Sequence, residues 1–254
     1  MKYSEEIKKT ERLYDERVNL DDNPVKASGG WGTDKEIKLI CEEIGKKINI
    51  MKNHIVLEIG CGSGVLGNWL IKKCNQYYGL DISYQMLKTF KKYSELDVPL
   101  LQGTTHTLPF IDNFFDVIII NGVTVYLDSE TLLITLKEMK RVAKKEGILF
   151  LGDNITPSGM YYEYTWFQKM NLLSQSFAKL YIKFRTKMAR KKIFKSEKWD
   201  NPYHEFSPKL IKKIFCDGVE IIITNSSARM VKAQTRKNQK TGNKRIDYII
   251  KLGK

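Results

Sequence analysis

The run Val56-Leu57-Glu58-Ile59-Gly60-Cys61-Gly62-Ser63-Gly64 sets three alternate glycines after an apolar stretch and before a helical one. Glycines in that position let a ligand approach the backbone closely at the point where a strand turns into a helix. The spacing Gly62-x-Gly64-x-x-Gly67, with Asp81 19 residues beyond Gly62, also satisfies the dinucleotide pattern, in which a pyrophosphate lies on the loop and an acid holds a ribose. Glu58 argues against that guest. A carboxylate at the end of the strand, beside the pocket, repels a pyrophosphate dianion and suits a guest carrying an ammonium and a sulfonium, with its ribose diol on Asp81. S-adenosylmethionine has those groups.

In these residues the chain resembles the class I S-adenosylmethionine-dependent methyltransferases, over about residues 54–153. The segment V-L-E-I-G-C-G-S-G is similar to that family's first motif, and G-L-D-I-S (Gly79 to Ser83) to its second. L-P-F-I-D-N-F-F-D-V-I-I-I-N (Leu108 to Asn121) is similar to the segment leading into the fourth strand, and G-I-L-F-L-G-D-N (Gly147 to Asn154) to the fifth strand. The resemblance implies that Gly60, Gly62 and Gly64 line the cofactor, that Glu58 faces its methionine end and that Asp81 accepts both ribose hydroxyls. It further implies that Ile82 lies against the adenine and that Asn121 and Gly122 border the reaction centre. Where the family usually has an acid after the glycine at position 103, this chain has Thr104-Thr105, whose hydroxyls can still accept from the adenine amino group. Tyr14 and Trp31 precede the core at the place where related small-molecule enzymes fold a flap across the methionine end.

Methyl transfer from a sulfonium is a direct displacement, so the protein's main task is to hold the acceptor in line with the methyl group. A hydroxyl acceptor also needs a general base. His204, in Tyr203-His204-Glu205-Phe206, is the first candidate, and Asp153, at the end of the fifth strand, the second. His54 opens the first strand far from the carboxyl ends and is expected to be structural or exposed. His106 is expected to be a surface or capping residue.

The elements that must position these groups follow from patterning. Apolar runs alternate with helical periodicity from about residue 33 to 152, which is the signature of βα units on a parallel sheet. Strands are expected at His54 to Ile59, Tyr77 to Leu80, Leu100-Leu101, Phe115 to Ile120 and Ile148 to Leu151, with a late antiparallel pair at Val219 to Thr224 and Ile246 to Lys251. The capping box Thr33-x-x-Glu36 opens a helix with Ile37, Ile40, Cys41, Ile44 and Ile48 on one face. Ser83 caps another helix, and Asp128 or Ser129 caps the helix Leu132 to Ala143. Between residues 160 and 198 an aromatic stripe with lysines beside it reads as an amphipathic helical insertion. Ser207-Pro208 opens a last helix through Phe215.

The expected whole is one α/β domain over residues 1–254, a Rossmann-like, mostly parallel seven-stranded sheet with helices on both faces. It divides into an N-terminal flap and helix (1–50), a cofactor-binding core (54–153), a helical acceptor lid (156–205), and a last helix with an antiparallel strand pair (206–254). No apolar h-region opens the chain and nowhere do eighteen apolar residues follow one another, so a cytoplasmic protein without a spanning helix is expected. The four cysteines (Cys41, Cys61, Cys74 and Cys216) show no metal-ligand spacing and read as reduced thiols, with no metal expected.

The formal net charge is +14, and it is unevenly spread. Residues 1–155 carry 21 Lys+Arg against 22 Asp+Glu, whereas residues 156–254 carry 22 against 7. A field of one sign concentrates partners of the other. The favoured acceptor is therefore a small anionic molecule, methylated on oxygen: a sugar, a nucleotide-linked sugar or a phosphorylated precursor, with surface-polysaccharide assembly as one setting. Two other readings stay open. One is an RNA methyltransferase using the basic face, although strand four ends in Asn121-Gly122-Val123-Thr124 and not in the N-P-P-Y of nucleic-acid amino methylases. The other is a protein that binds the cofactor without turnover.

Overall fold

The computed structural model describes residues 2–29, 31–155, 211, 214, 215, 218–227 and 245–253. The expected acceptor lid, His204, Cys216 and most of the helix expected from Ser207 lie outside the described residues.

Seven strands form one sheet: β1 (Ile55–Ile59), β2 (Gln76–Asp81), β3 (Leu100–Gln102), β4 (Phe115–Asn121), β5 (Ala143–Ile155), β6 (Val219–Asn225) and β7 (Arg245–Leu252). Their order is β3-β2-β1-β4-β5-β7-β6. β7 is antiparallel to both β5 and β6, while β1 to β5 are mutually parallel. This is the mostly parallel seven-stranded sheet with an antiparallel late pair that the sequence implies.

Burial on both faces follows from β4, whose Val117-Ile118-Ile119-Ile120 is inaccessible throughout. Val117 and Ile119 join a cluster with Val56, Leu70, Phe90 and Phe150. Ile118 and Ile120 join the other face with Leu57, Leu136, Leu149 and Tyr248, where Ile211 and Phe215 of the late segment also pack. The helices α3 (Asp34–Ile48) and α5 (Tyr84–Tyr93) lie with the first cluster, and α6 (Ser129–Val142) with the second. Between them in the chain, α4 (Gly67–Leu70) is a single turn. The Thr33 capping box is present with both of its hydrogen bonds, Ser83 caps α5 and Asp128 caps α6.

Two features differ from the sequence expectation. β5 begins at Ala143, where a helix end and a short loop are expected, because the helix is followed at once by extended backbone that pairs Ala143 with Phe115. Lys144 then reaches Asp116 at 2.7 Å across the same edge. At the N-terminus, Lys2–Leu20 form a 19-residue helix, α1, followed by α2 (Pro24–Ser28) under the cap of Asn23. The polar composition of α1 hides it from periodicity: among the described residues Tyr14 and Val18 supply its apolar contact with the small cluster around Ala27 and Met86. Among the described residues no helix is long and apolar enough to cross a membrane.

The carboxyl end of β5 is locked by a buried acid. Asp247 on β7, 1% exposed, accepts from Lys47 Nζ of α3 at 2.8 Å, from the Asp153 N–H at 2.8 Å, and from the backbone and hydroxyl of Ser227 at 2.9 and 2.8 Å. Burial pushes its carboxyl above the ordinary range and Lys47 opposes that. Removing one partner of such a pair leaves the other charge buried and uncompensated. Asp247→Ala should therefore lower unfolding free energy by about 3–5 kcal/mol in urea titrations. A loss below about 1 kcal/mol, the range of surface pairs, would show that the pair holds nothing.

Candidate functional site

A cavity of about 410 Å³ opens at the carboxyl ends of β1, β2, β4 and β5. That volume is in the range of small-molecule sites, roughly 300–1,000 Å³. In open α/β sheets ligands bind at this end, where the strand order reverses. Here the reversal lies between β1 and β4.

The glycine loop is stitched to the end of β2. The N–H groups of Gly60 and Cys61 donate to the Leu80 carbonyl at 2.7 and 3.1 Å, and Gly62 N–H donates to Asp81 Oδ2 at 2.8 Å. To make this path, Gly60 and Gly64 adopt φ of 73° and 85°, in the left-handed region where a side chain is strained. A Cβ would also strike Val123 at position 60 and the Phe90 ring at position 64. α2 braces the loop from outside, since the Ser63 hydroxyl donates to the Pro24 carbonyl at 2.6 Å.

This geometry decides between the two ligands that the glycine spacing allows. A pyrophosphate would rest on the N-terminus of the helix after the loop. That helix is the four-residue α4, too short to present an aligned dipole. In the dinucleotide fold the sheet order is 3-2-1-4-5-6. Here β7 instead inserts antiparallel between β5 and β6.

Asp81, 8% exposed, accepts from the N–H groups of Gly62 and Ser83. Burial still pushes its carboxyl up to about 6. Each oxygen accepts one of these bonds and can accept another, and the residue lines the cavity, which suits the two hydroxyls of a ribose. Glu58, 4% exposed, accepts from the Tyr77 hydroxyl at 2.6 Å, and burial pushes it up to about 8. The standing carboxylate charge expected from the sequence is corrected here. Burial thus opposes a standing charge on this carboxyl, and a cationic guest beside it would favour the ionised form. The electrostatic preference for a cation holds, but the guest induces it.

Ile82, Thr104 and Thr105, the residues that the resemblance places at the adenine, line the same cavity. The Thr105 and Thr135 hydroxyls lie 2.8 Å apart, and Thr104 Oγ1 lies 3.3 Å from His106 Nε2. His106 also lines the cavity, where a surface or capping position is expected, and burial lowers its pKa. Asn121, Gly122, Trp31 and Tyr14 reach the same cavity. Tyr14 packs edge-on to Tyr126 at 5.8 Å with the Arg17 guanidinium 5.0 Å from its ring, and burial holds its hydroxyl well above the ordinary range.

Asp153 lies in the cavity wall in a left-handed conformation, φ 57°, at a bulge in the β5–β7 pairing. The Ser226 hydroxyl and Arg245 Nη1 each donate to its carboxylate at 2.7 Å. A proton taken from an acceptor by Asp153 would thus break an ion pair. His54 is buried at the far end of β1, where its Nδ1 accepts from Met51 N–H at 3.3 Å, as a structural role requires. His204 lies outside the described residues. Among the described residues no cluster of His, Cys, Asp and Glu could hold a metal ion.

The cavity also takes in Arg17, Ser28, Met86, Tyr126 and Thr131, which the sequence reading does not single out. Arg17 lies one helical turn from Tyr14, so recognising α1 as a helix is the signal that would have found it. Ser28 and Met86 come from α2 and α5, which only the fold brings to the loop.

Residues 57–151 match the methyltransferase domain family. The chain is 32% identical over 115 residues to the malonyl-[acyl-carrier protein] O-methyltransferase of Hamiltonella defensa, covering 44% of this chain and 43% of that one. It is 30% identical over 149 residues to the demethylmenaquinone methyltransferase of Anoxybacillus flavithermus, covering 54% and 60%. The matches span about half the length of these curated relatives. Among solved structures, the magnesium protoporphyrin IX methyltransferase of Synechocystis with bound SAH superposes with a TM-score of 0.59 at 14% identity, over 97% of this chain and 99% of that one, which is a likeness of fold. With its glycine loop closed on Asp81 and its antiparallel seventh strand, the chain has the Rossmann-like fold of S-adenosylmethionine-dependent methyltransferases, and its residues 57–151 match their methyltransferase domain.

Proposed function

We propose that the protein transfers a methyl group from S-adenosylmethionine to a small acceptor, on oxygen. The observation that carries this is the pair of buried acids in one cavity, Asp81 for the ribose diol and Glu58 for the ammonium, beside a glycine loop with no room for side chains. The cofactor supplies an activated methyl group, and the chain's own residues bind and align. Asn121 and Gly122 close the end of β4 where donor and acceptor would meet, and Tyr14 and Trp31 cover the methionine end and keep water from it. His204 is the proposed base for a hydroxyl acceptor, with Asp153 as a second.

The acceptor is proposed to be anionic. The excess of 22 basic over 7 acidic residues in 156–254 supports this, as do Arg17 and Arg245 in the cavity wall. A sugar or phosphorylated precursor fits that chemistry, with surface-polysaccharide assembly as a setting. Two curated relatives bear the names of methyltransferases acting on malonyl-[acyl-carrier protein] and demethylmenaquinone, which supports a metabolic acceptor over a nucleic acid. The deciding experiment is incubation with labelled S-adenosylmethionine and a fractionated metabolite extract, with the product identified by mass spectrometry. Label appearing only in RNA would overturn the small-acceptor reading.

Asp81→Asn should weaken S-adenosylhomocysteine binding about 10–100-fold by calorimetry, the loss expected when hydrogen bonds to a charged acceptor become neutral ones. An unchanged dissociation constant would remove the ribose assignment. Both acids must be ionised to receive the cofactor, and both carboxyls are raised, Glu58 to about 8 and Asp81 to about 6. Affinity should accordingly fall as pH drops, about tenfold per unit below pH 8 and more steeply below pH 6. Glu58→Gln should flatten the profile between pH 6 and 8. A profile in that variant that still follows the wild type would assign the dependence to another group.

A further inference from the structure

We infer that Tyr77 is a positioning residue for cofactor binding: its hydroxyl holds the buried Glu58 carboxylate ready for the cofactor's ammonium and thereby sets the lower pH limit of binding. This rests on the cofactor reading above. Val56 and Glu58 share one face of β1, and Tyr77 on β2 is the register partner of Val56. A tyrosine is long enough to cross from there to the neighbouring position, and its hydroxyl donates to Glu58 Oε2 at 2.6 Å. The ring is 3% exposed and packs edge-on to Phe90 at 5.9 Å, which leaves the hydroxyl little freedom. Gly67 completes the seat, because a Cβ there would lie 2.6 Å from the Tyr77 oxygen. The third glycine of the loop pattern thus makes room for this hydroxyl.

The groups facing Glu58 are Tyr77 and Asp81 from β2, Cys61 from the glycine loop and Cys41 from α3. None of these is a cation. Burial raises both thiols, Cys41 to about 12 and Cys61 well above its ordinary value, so they stay neutral. Asp81 opposes a charge on Glu58, as burial does, while the Tyr77 hydrogen bond favours it. The chain therefore offers Glu58 one stabilising donor in this group and leaves the balancing positive charge to the guest. Because the hydroxyl stabilises the ionised carboxylate equally in the free and bound protein, its removal shifts the pH at which binding begins and leaves the limiting affinity alone.

The test is calorimetric titration of S-adenosylhomocysteine into the full chain from pH 5.5 to about 10.5. In Tyr77→Phe, which keeps the ring and its packing, the rising limb should move up by about one pH unit, weakening binding about tenfold at pH 7. The curves should converge above the shifted limb, and the fall at high pH, which belongs to the ligand's own amine, should stay in place. 3-Fluorotyrosine at position 77, a stronger donor, should move the limb the opposite way and serves if the phenylalanine variant fails to fold. Uniform weakening at every pH, or a limb that does not move in either variant, would overturn the inference. Absence of binding by the unmodified protein would instead overturn the cofactor reading itself.

Discussion

The short contact between the Gly62 N–H and the Asp81 carboxylate is the constraint on which the site depends. It joins the end of β1 to the end of β2, so the glycine loop and the Asp81 carboxylate beside the cavity are tied into one unit. The Leu80 carbonyl, accepting from Gly60 and Cys61, completes the tie. Because the backbone curls back on itself here, glycines occupy the turning points, and Val123 and Phe90 fill the space that side chains would need. Packing and binding thus impose the same residue type for different reasons.

A second theme is the burial of acids that have no resident cation among the described residues. Glu58 and Asp81 are nearly inaccessible, and both carboxyls are raised by desolvation. Such an arrangement disfavours the empty, ionised site and gains from a cationic guest, because charge in a low-dielectric wall interacts strongly with whatever neutralises it. Asp247 is the contrasting case. It is equally buried, yet it has Lys47 and several N–H and hydroxyl donors, and so contributes to architecture. What surrounds a buried carboxylate, and not its burial alone, separates the proposed binding acids from the structural one.

The carboxyl end of β5 brings the two roles together. Asp247 holds the left-handed backbone at Asp153, and Arg245 and Ser226 hold the side chain that results. Asn154 anchors the next residue, donating to the Leu151 and Ile246 carbonyls at 2.6 and 3.0 Å while its own oxygen accepts from Thr124. Backbone in sparsely populated regions persists only when its surroundings over-determine it, and such places concentrate at functional sites. The ion pair in the cavity wall is thus fixed from beneath by a network that reaches α3.

The seven strands, the three helix caps and the glycine loop are legible in the sequence because each rests on local rules. Strand periodicity, a capping side chain three residues from its N–H partner, and glycines at a turn are all set within a few residues. Tyr14, Trp31, Thr104, Thr105, Asn121 and Gly122 were reached through motif order, and the cavity gathers them. Helix α1 was hidden, since one narrow apolar stripe among charges carries little periodic signal. The ionisation of Glu58 was misjudged for a different reason: a sequence shows that a carboxyl is present, but its charge depends on how much water the fold leaves beside it. Burial, the Tyr77 hydroxyl from the adjacent strand and the lack of a neighbouring cation among the described residues are long-range outcomes of packing, and only the assembled sheet determines them.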